Sequence, residues 1–350
     1  MHAGNRSSMH HNRFTTTLIS WYRQHGRDLP WRHTRDPYAI WLSEVIMQQT
    51  RIAQGRAYWE RFISRFPTVA SLASASEDEV LRMWQGLGYY SRARNLHEAA
   101  RQIVSCGSFP DNLADIRRLK GVGTYTAAAI ASFAFGIRAA AVDGNAYRVL
   151  SRVFAIDTPV NSTEGKHLFQ QLADSLMADL PAAEEAGDFN QAMMDFGATC
   201  CTPKAPKCPE CPFMATCEAL HSGRVAELPV KNRTTKVKER RMAYVFISCQ
   251  GYCALHRRGA GDIWQGLWEP YVFEGEPLPE WDGTLTLLNS NVRHILTHRV
   301  ILADFYLLQT DVRPELPADF VWIKQEDVSR YAVPRLVERL LEAIGRRGLL

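Results

Sequence analysis

This chain has no low-complexity tract, no strong surplus of one charge and no apolar run long enough for a bilayer. Its 350 residues carry 41 Lys+Arg against 37 Asp+Glu, a net charge of +4, too slight to argue for nucleic acid by itself. Residues 1–13 contain Arg6 and Arg13 but no apolar core. They do not form a secretory signal, so a flexible tail and a cytoplasmic location are expected. The uncharged run 121–137 has 17 residues, including three glycines and a tyrosine, and falls short of the roughly 18–20 a membrane span needs. It reads as a buried helix preceded by a hairpin, with no membrane partner. A composition of 46% hydrophobic and 22% charged residues excludes disordered and fibrous classes. At about 150 residues per domain, the length suits two domains.

What is there is unevenly distributed. Residues 224–241 hold seven Lys/Arg and two Glu, which leaves the rest of the chain at −1. With Pro229 and few large apolar residues, this stretch is expected to be an exposed basic linker at a domain boundary. Of the eight cysteines, five lie within 18 residues, and Cys201, Cys208, Cys211 and Cys217 are spaced C-x6-C-x2-C-x5-C. Without a secretion signal, a disulfide framework is a poor account. Four thiolates on one short loop repel unless a metal neutralises them. A sulfur-only set suits zinc or an iron–sulfur cluster, and the single C-x2-C knuckle favours the cluster. Cys200 competes with Cys201 for the first position, while Cys106, Cys249 and Cys253 are scattered and read as buried free thiols.

From residue 14 to about 220 the apolar spacing is helical. Asp36-Pro37 opens a helix through Thr50, with Asp as N-cap and Pro in the first turn. Trp41, Leu42, Val45 and Ile46 form one stripe on it, and Glu44 and Gln48 stack on another face. A lone helical Glu is ordinarily solvated. In LKGVGTYT (119–126), Gly121 and Gly123 permit a tight turn that exposes backbone N–H groups at the start of the next helix. This is a geometry for phosphate without base readout, although any close helix–helix turn uses such glycines. Asp143 in AVDGN reads as the N-cap of a helix through Phe154. GLGYYSRARN (86–95) sets two glycines and two tyrosines beside arginines, a mixture suited to wedging a duplex.

Taken in order, LPWR (29–32), WLSEVIMQQT (41–50), GLGYYSRARN, LKGVGTYT, AVDGN and the cysteine loop resemble the adenine DNA glycosylases of the helix–hairpin–helix superfamily, nearly continuously over residues 21–217. The resemblance implies a multi-domain protein. An all-α helix–hairpin–helix glycosylase domain (14–223, hairpin 115–136) with an iron–sulfur loop (201–217) precedes a linker (224–241) and an α+β Nudix-like domain (242–350). It implies one 4Fe–4S cluster on Cys201, Cys208, Cys211 and Cys217, structural in role. It implies a monomer acting on double-stranded DNA that carries adenine opposite 8-oxoguanine or guanine. Glu44 and Asp143 match the catalytic carboxylates, with Tyr125 and Asn145 beside them. A protonated Glu44 would donate to the purine nitrogen at position 7. An ionised Asp143 would stabilise the oxocarbenium-like sugar or bond to its anomeric carbon.

The same resemblance carries DNA and base contacts onto Trp31, Arg32, Gln48, Gln49, Thr50, Gly88, Tyr89, Lys120, Gly121, Val122, Gly123 and Gln191. Gln49 and Tyr89 fall on wedge positions, and Trp31, Arg32 and Gln191 on the adenine pocket of a flipped-out base. Bifunctional lyases of the superfamily carry a Schiff-base lysine where this chain has Tyr125, which cannot form an imine, so simple hydrolysis is expected. An endonuclease III-like lyase and a non-catalytic mispair-binding protein are the rival readings.

Past residue 242 the pattern changes to short strands, expected at 243–249, 252–256, 267–273, 300–308 and 320–323, with an amphipathic helix at 334–344. GDIWQGLWEPYVF resembles the Nudix-like domain of the family. No glycine from Gly251 to Gly283 has Glu six residues on, so the G-x5-E metal-binding helix of a Nudix hydrolase is absent and recognition is expected instead. Leu296, Thr297 and His298 match the loop that reads 8-oxoguanine, with Leu where an aromatic is common.

Overall fold

The computed structural model describes residues 3–182, 185–232, 238–275, 278–296 and 298–348. Among the described residues, twelve α-helices come first: α1 Ala3–His25, α2 Pro37–Met47, α3 Ile52–Arg65, α4 Val69–Ser74, α5 Glu77–Trp84, α6 Ser91–Cys106, α7 Leu113–Arg118, α8 Thr124–Phe135, α9 Gly144–Val153, α10 Thr163–Ala178, α11 Glu185–Thr199 and α12 Glu218–His221. Strands β1 Lys238–Cys249, β2 Tyr252–Arg257, β3 Trp268–Glu269, β4 Tyr271–Phe273, β5 Thr284–Ile295, β6 Arg299–Thr310 and β7 Phe320–Lys324 follow, and α13 Arg335–Gly345 ends the fold. The all-α to α+β succession agrees with the fold class expected from the sequence.

Two compact units form, 1–73 with 98–233 and 74–97 with 234–350. This division differs from the expected single helical domain over 14–223, because polar contacts draw α5 and the start of α6 into the second unit. Arg257 Nη2 donates to Glu77 Oε1 at 2.9 Å, Arg94 Nη1 to the Gln265 carbonyl at 2.6 Å and Trp268 Nε1 to Asp78 Oδ1 at 3.2 Å. Such pairings between segments far apart in sequence leave no local signature.

In the first unit the expected N-caps appear. Asp36 accepts from the Tyr38 N–H and Asp143 from the N–H groups of Asn145 and Ala146. Residues 1–13 are not the expected tail, since α1 begins at Ala3. The helix is anchored by Phe14, Leu18 and Ile19 in the core, and extending a formed helix costs far less than starting one. The core gathers those residues with Val149, Leu150, Phe169, Phe189 and Phe196 from α9, α10 and α11. The hairpin lies between α7 and α8 as expected, with Gly121 at φ 75° and α8 closed by Gly136 at φ 67°. Small residues Ala127 to Ala131 are buried along α8, which lets neighbouring helices approach closely.

Buried Asn190 of α11 joins three pieces of chain. Its Oδ1 accepts from the Ala141 N–H at 2.9 Å, and its Nδ2 donates to Ser132 Oγ at 2.8 Å and the Ala139 carbonyl at 2.9 Å. These bonds fix the extended segment that delivers Asp143. Residues 224–232 of the basic stretch are not a free linker either. Leu228 is buried, Arg152 Nε donates to its carbonyl at 3.1 Å, and the Val160 N–H donates to the Val230 carbonyl at 3.0 Å. β1 then starts within the range assigned to that linker.

The second unit is built on a seven-stranded sheet in which β1 runs parallel to β6 over its full length. Gln250 (φ 50°) and Gly251 (φ 78°) make the expected β1–β2 turn, both in the left-handed region a two-residue hairpin requires. Leu336, Val337, Leu340 and Ile344 of α13 pack with Met242, Tyr244, Phe246, Ile301 and Phe305 of the sheet. The strand expected over 267–273 is divided at Pro270 into β3, paired with β2, and β4, paired with β1. Proline has no N–H to give a ladder. β5 was not legible in sequence. Asn289-Ser290-Asn291 interrupts its alternation, and the ladder with β6 shifts register on either side of Asn289.

Asn190→Ala would strand two buried backbone groups, the Ala141 N–H and the Ala139 carbonyl, at a cost of about 3 kcal/mol, while Ser132 keeps its bond to the Ala129 carbonyl. A lowered urea midpoint, measured by circular dichroism, is the expected result.

Candidate active site

Glu44 faces inward from α2, a helix buried at every position from Tyr38 to Ile46. A carboxyl there has lost its water, and burial is the first cause pushing its pKa up to about 7. The hydroxyl of Tyr125, one residue into α8, donates to Glu44 Oε2 at 3.0 Å and pulls the pKa down, as does the Arg32 guanidinium. The negative charge of Asp143 raises it further. Glu44, Tyr125, Asp143 and Arg32 therefore belong to one electrostatic site, although residues 44 and 143 are far apart in sequence.

Asp143 is the N-cap of α9. Its Oδ1 accepts from the N–H groups of Asn145 (2.9 Å) and Ala146 (2.7 Å), while Asn145 Nδ2 donates to Oδ2 at 2.7 Å. Burial raises the Asp143 pKa above its ordinary value, against the pull of these donors and of Arg148. The capping role and a place beside Glu44 coexist in one side chain. Asn145 is itself held: Arg148 Nη2 donates to its Oδ1 at 2.8 Å and to the Gly197 carbonyl at 2.6 Å. A Cβ on Gly197 would stand 2.5 Å from the Asn145 Cβ, so only glycine permits α11 to pass so close. The Tyr125 hydroxyl is pushed above its ordinary range by burial and then by the two carboxylates.

Arg32 and Gln191 belong to the same unit as Glu44 and are held by polar partners of their own. Arg32 forks onto Asp195 with Nη1–Oδ2 at 2.7 Å and Nη2–Oδ1 at 2.8 Å. Gln191 Oε1 accepts from the Tyr22 hydroxyl, and the Arg32 guanidinium lies 5.7 Å from the Tyr22 ring centre. Trp31 is buried edge-on to Trp59, their ring centres 5.7 Å apart. At the end of α2, Gln48 Nε2 donates to Thr126 Oγ1 at 3.2 Å and Thr50 Oγ1 to the Gln48 carbonyl at 3.3 Å. Exposed Gln49 follows at φ 55°, a strained backbone for a residue with a side chain. In the hairpin, Val122 is buried, Lys120, Gly121 and Gly123 are exposed, and the Lys120 N–H donates to Gln102 Oε1 at 2.8 Å.

Within the second unit, Tyr89 is 51% exposed at φ 47°. The preceding Gly88 carbonyl accepts from Trp84 Nε1 at 3.0 Å and Arg92 Nη2 at 3.2 Å, so the loop presenting this tyrosine is braced. Leu296 and His298 sit at the tip of the β5–β6 hairpin, where the Leu296 N–H donates to the Arg299 carbonyl at 2.8 Å. Thr297 lies outside the described residues.

Cys201, Cys208, Cys211 and Cys217 line one cavity together with Cys200, Phe196, Met214 and Arg152. Arg152 Nη1 donates to Cys201 Sγ at 3.5 Å, and Arg148 Nε to the Cys201 carbonyl at 2.7 Å. The donors are soft sulfurs in a largely apolar pocket, which suits a sulfur-ligated cluster in chemistry. In geometry, no three Cys, His, Asp or Glu among the described residues stand together as metal ligands. Of the three cysteines expected to be buried free thiols, Cys249 and Cys253 are buried, whereas Cys106 at the end of α6 is exposed.

Sequence reasoning did not single out Arg27, Asp195, Tyr22, Arg148 or Gly197. A signal existed for two of them. Asp195 is an acid in the mostly apolar run FNQAMMDFG, and Gly197 is a glycine inside a helix, where it costs about 1 kcal/mol unless close packing needs it.

Two family models match the chain: the HhH-GPD superfamily of base excision DNA repair proteins over residues 42–174 and the NUDIX domain over 242–343. The adenine DNA glycosylase of Mus musculus is 45% identical over 230 residues, 62% of this chain and 44% of that protein. The chain thus spans less than half the length of this mammalian relative. The adenine DNA glycosylase of Buchnera aphidicola subsp. Baizongia pistaciae (strain Bp) is 33% identical over 258 residues, 73% of this chain and 72% of the other. A solved thermostable thymine-DNA glycosylase superposes with a TM-score of 0.56 at 30% identity, covering 62% of this chain and 99% of its own. Similarity to the Buchnera protein over most of both chains makes this protein a member of the adenine DNA glycosylase family.

Proposed function

We propose that this protein is a monofunctional DNA glycosylase that hydrolyses the N-glycosidic bond of adenine opposite 8-oxoguanine or guanine in double-stranded DNA. The observation that carries this reading is geometric: Glu44 is a buried carboxyl whose Oε2 accepts from the Tyr125 hydroxyl at 3.0 Å, within electrostatic reach of an Asp143 held by three donors, and burial pushes the Glu44 pKa up to about 7. Two acids in one site with different surroundings take different roles. Glu44 keeps its proton near neutrality and delivers it to the purine nitrogen at position 7, turning adenine into a neutral leaving group. Asp143 is held by its donors to face the positive charge that grows on the sugar. Tyr125 orients the Glu44 carboxyl through its hydroxyl.

The target base must leave the stack to reach buried groups. Exposed Gln49, with its left-handed backbone, supports a role in filling the gap, and Tyr89 of the second unit, likewise exposed and left-handed, is assigned to the DNA on its own unit. The hairpin N–H groups at 121–123, with Lys120 beside them, suit the DNA backbone. Adenine is an undamaged base, so its pocket cannot identify a lesion. Leu296 and His298 on the β5–β6 hairpin of the second unit, together with Thr297 of the same sequence motif, are assigned to the opposing base. Cys201, Cys208, Cys211 and Cys217 would hold a single 4Fe–4S cluster. The cluster would clamp the loop after α11, tied to Asn145 through Arg148. Such a substrate places the protein with chromosomal DNA.

Glu44→Gln should lower single-turnover adenine excision by at least about 10²-fold while mispair binding persists in a gel-shift assay; wild-type excision would defeat the reading. Because the protonated form of Glu44 is the active one, excision should decline as pH rises through about 7. Borohydride should trap no covalent protein–DNA adduct, since Tyr125 offers no amine; an adduct would favour the lyase. Cys208→Ser should remove the yellow-brown colour and bound iron, measured by absorbance and metal analysis.

A further inference from the structure

The candidate active site and the ion-pair network behind it share Arg32. The Asp195 carboxylate on α11 is fully buried, and two arginines close on it. Oδ1 accepts from Arg27 Nε at 2.8 Å and Arg32 Nη2 at 2.8 Å. Oδ2 accepts from Arg32 Nη1 at 2.7 Å and from the Arg27 backbone N–H at 2.7 Å. Burial alone would raise this acid's pKa, but the guanidinium bonds outweigh it and hold Asp195 below its ordinary value, so the trio carries one net positive charge. Arg32 in turn lies in the 30–32 turn that packs against α2, the helix carrying Glu44, and its positive charge reaches that carboxyl.

We propose that Asp195 is a positioning residue for the proton donor: by clamping Arg27 and Arg32 and cancelling one of their charges, it lets the neighbouring Glu44 remain protonated. This rests on Glu44 being the acid. A buried guanidinium without a counter-charge is costly and draws a nearby carboxyl into its ionised form. Such a charge would empty Glu44 of the proton it has to deliver. Glu44 itself is faced by Tyr125 from α8, Asp143 from the start of α9 and Arg32 from the turn before α2. The trio is faced by Tyr22 from α1 and by half-buried Asp188 from α11, whose own neighbours are Arg23, Arg35 and Glu185. Asp195 bonds both Arg27 and Arg32 through its side chain and so ties their charges to one anion.

The test is the pH dependence of single-turnover adenine excision in Asp195→Asn, Arg27→Gln and the double variant. Asp195→Asn adds one positive charge, so the fall of activity with rising pH should begin about one pH unit lower than in the wild type. Arg27→Gln removes one and should move that fall upward. The double variant restores the net charge and should return the profile toward the wild type. A purely structural role predicts lower rates with the profile unmoved, and that result would overturn the proposal. Should Asp195→Asn fail to fold, Arg27→Gln decides alone, since its side chain is 30% exposed; a fixed or downward-moving profile refutes. Glu44→Gln separates the two levels. Wild-type excision in that variant removes the acid itself, whereas loss of excision together with immobile profiles removes only the role of Asp195.

Discussion

A carboxyl group shut away from water at Glu44 is the constraint to which the rest of the first unit answers. Ionising it there is unfavourable because the surrounding helix is buried along nearly its whole length. Every polar neighbour then has a consequence. Tyr125 supplies a hydrogen bond and Asp143 a negative charge, while Arg32 supplies a positive charge that works against burial. The arrangement suits chemistry in which one acid gives a proton and the other stays charged.

Asp143 shows how one side chain serves fold and site together. An N-cap needs an acceptor at the head of a helix, and that acceptor is then fixed by backbone N–H groups in a chosen direction. Asn145 adds a third donor, Arg148 holds Asn145, and the bare backbone of Gly197 gives room for both. Removing a member of this chain would disturb a charge rather than a surface. Asn190 has the matching role in the preceding segment, where it satisfies the backbone that leads into Asp143.

Much of this is legible in the sequence. The N-caps at Asp36 and Asp143, the glycine hairpin between α7 and α8, the Gln250-Gly251 turn and the α13 helix all rest on local rules. Each depends on residues a few positions apart. β5 is hidden because an edge strand with bulges need not alternate, and its Asn-Ser-Asn centre reads as a turn. The division at Pro270 changes one expected strand into two with different partners. Residues 74–97 fall in the helical half by their periodicity, but periodicity reports that a helix forms and not which body it joins.

Local spacing thus dictated the helices, the caps and the change to strands past residue 242, while the two acids stood out as candidates only through the resemblance of the motifs that carry them. Tertiary packing settled what no spacing encodes. It made Glu44 dry, set Asp143 within electrostatic reach of it across 99 positions of sequence, and bound Arg27 and Arg32 to a single buried Asp195. The physical reason is that hydrogen bonds within a helix or turn join near neighbours. Desolvation and ion pairing depend on everything that surrounds a group, whatever its distance along the chain.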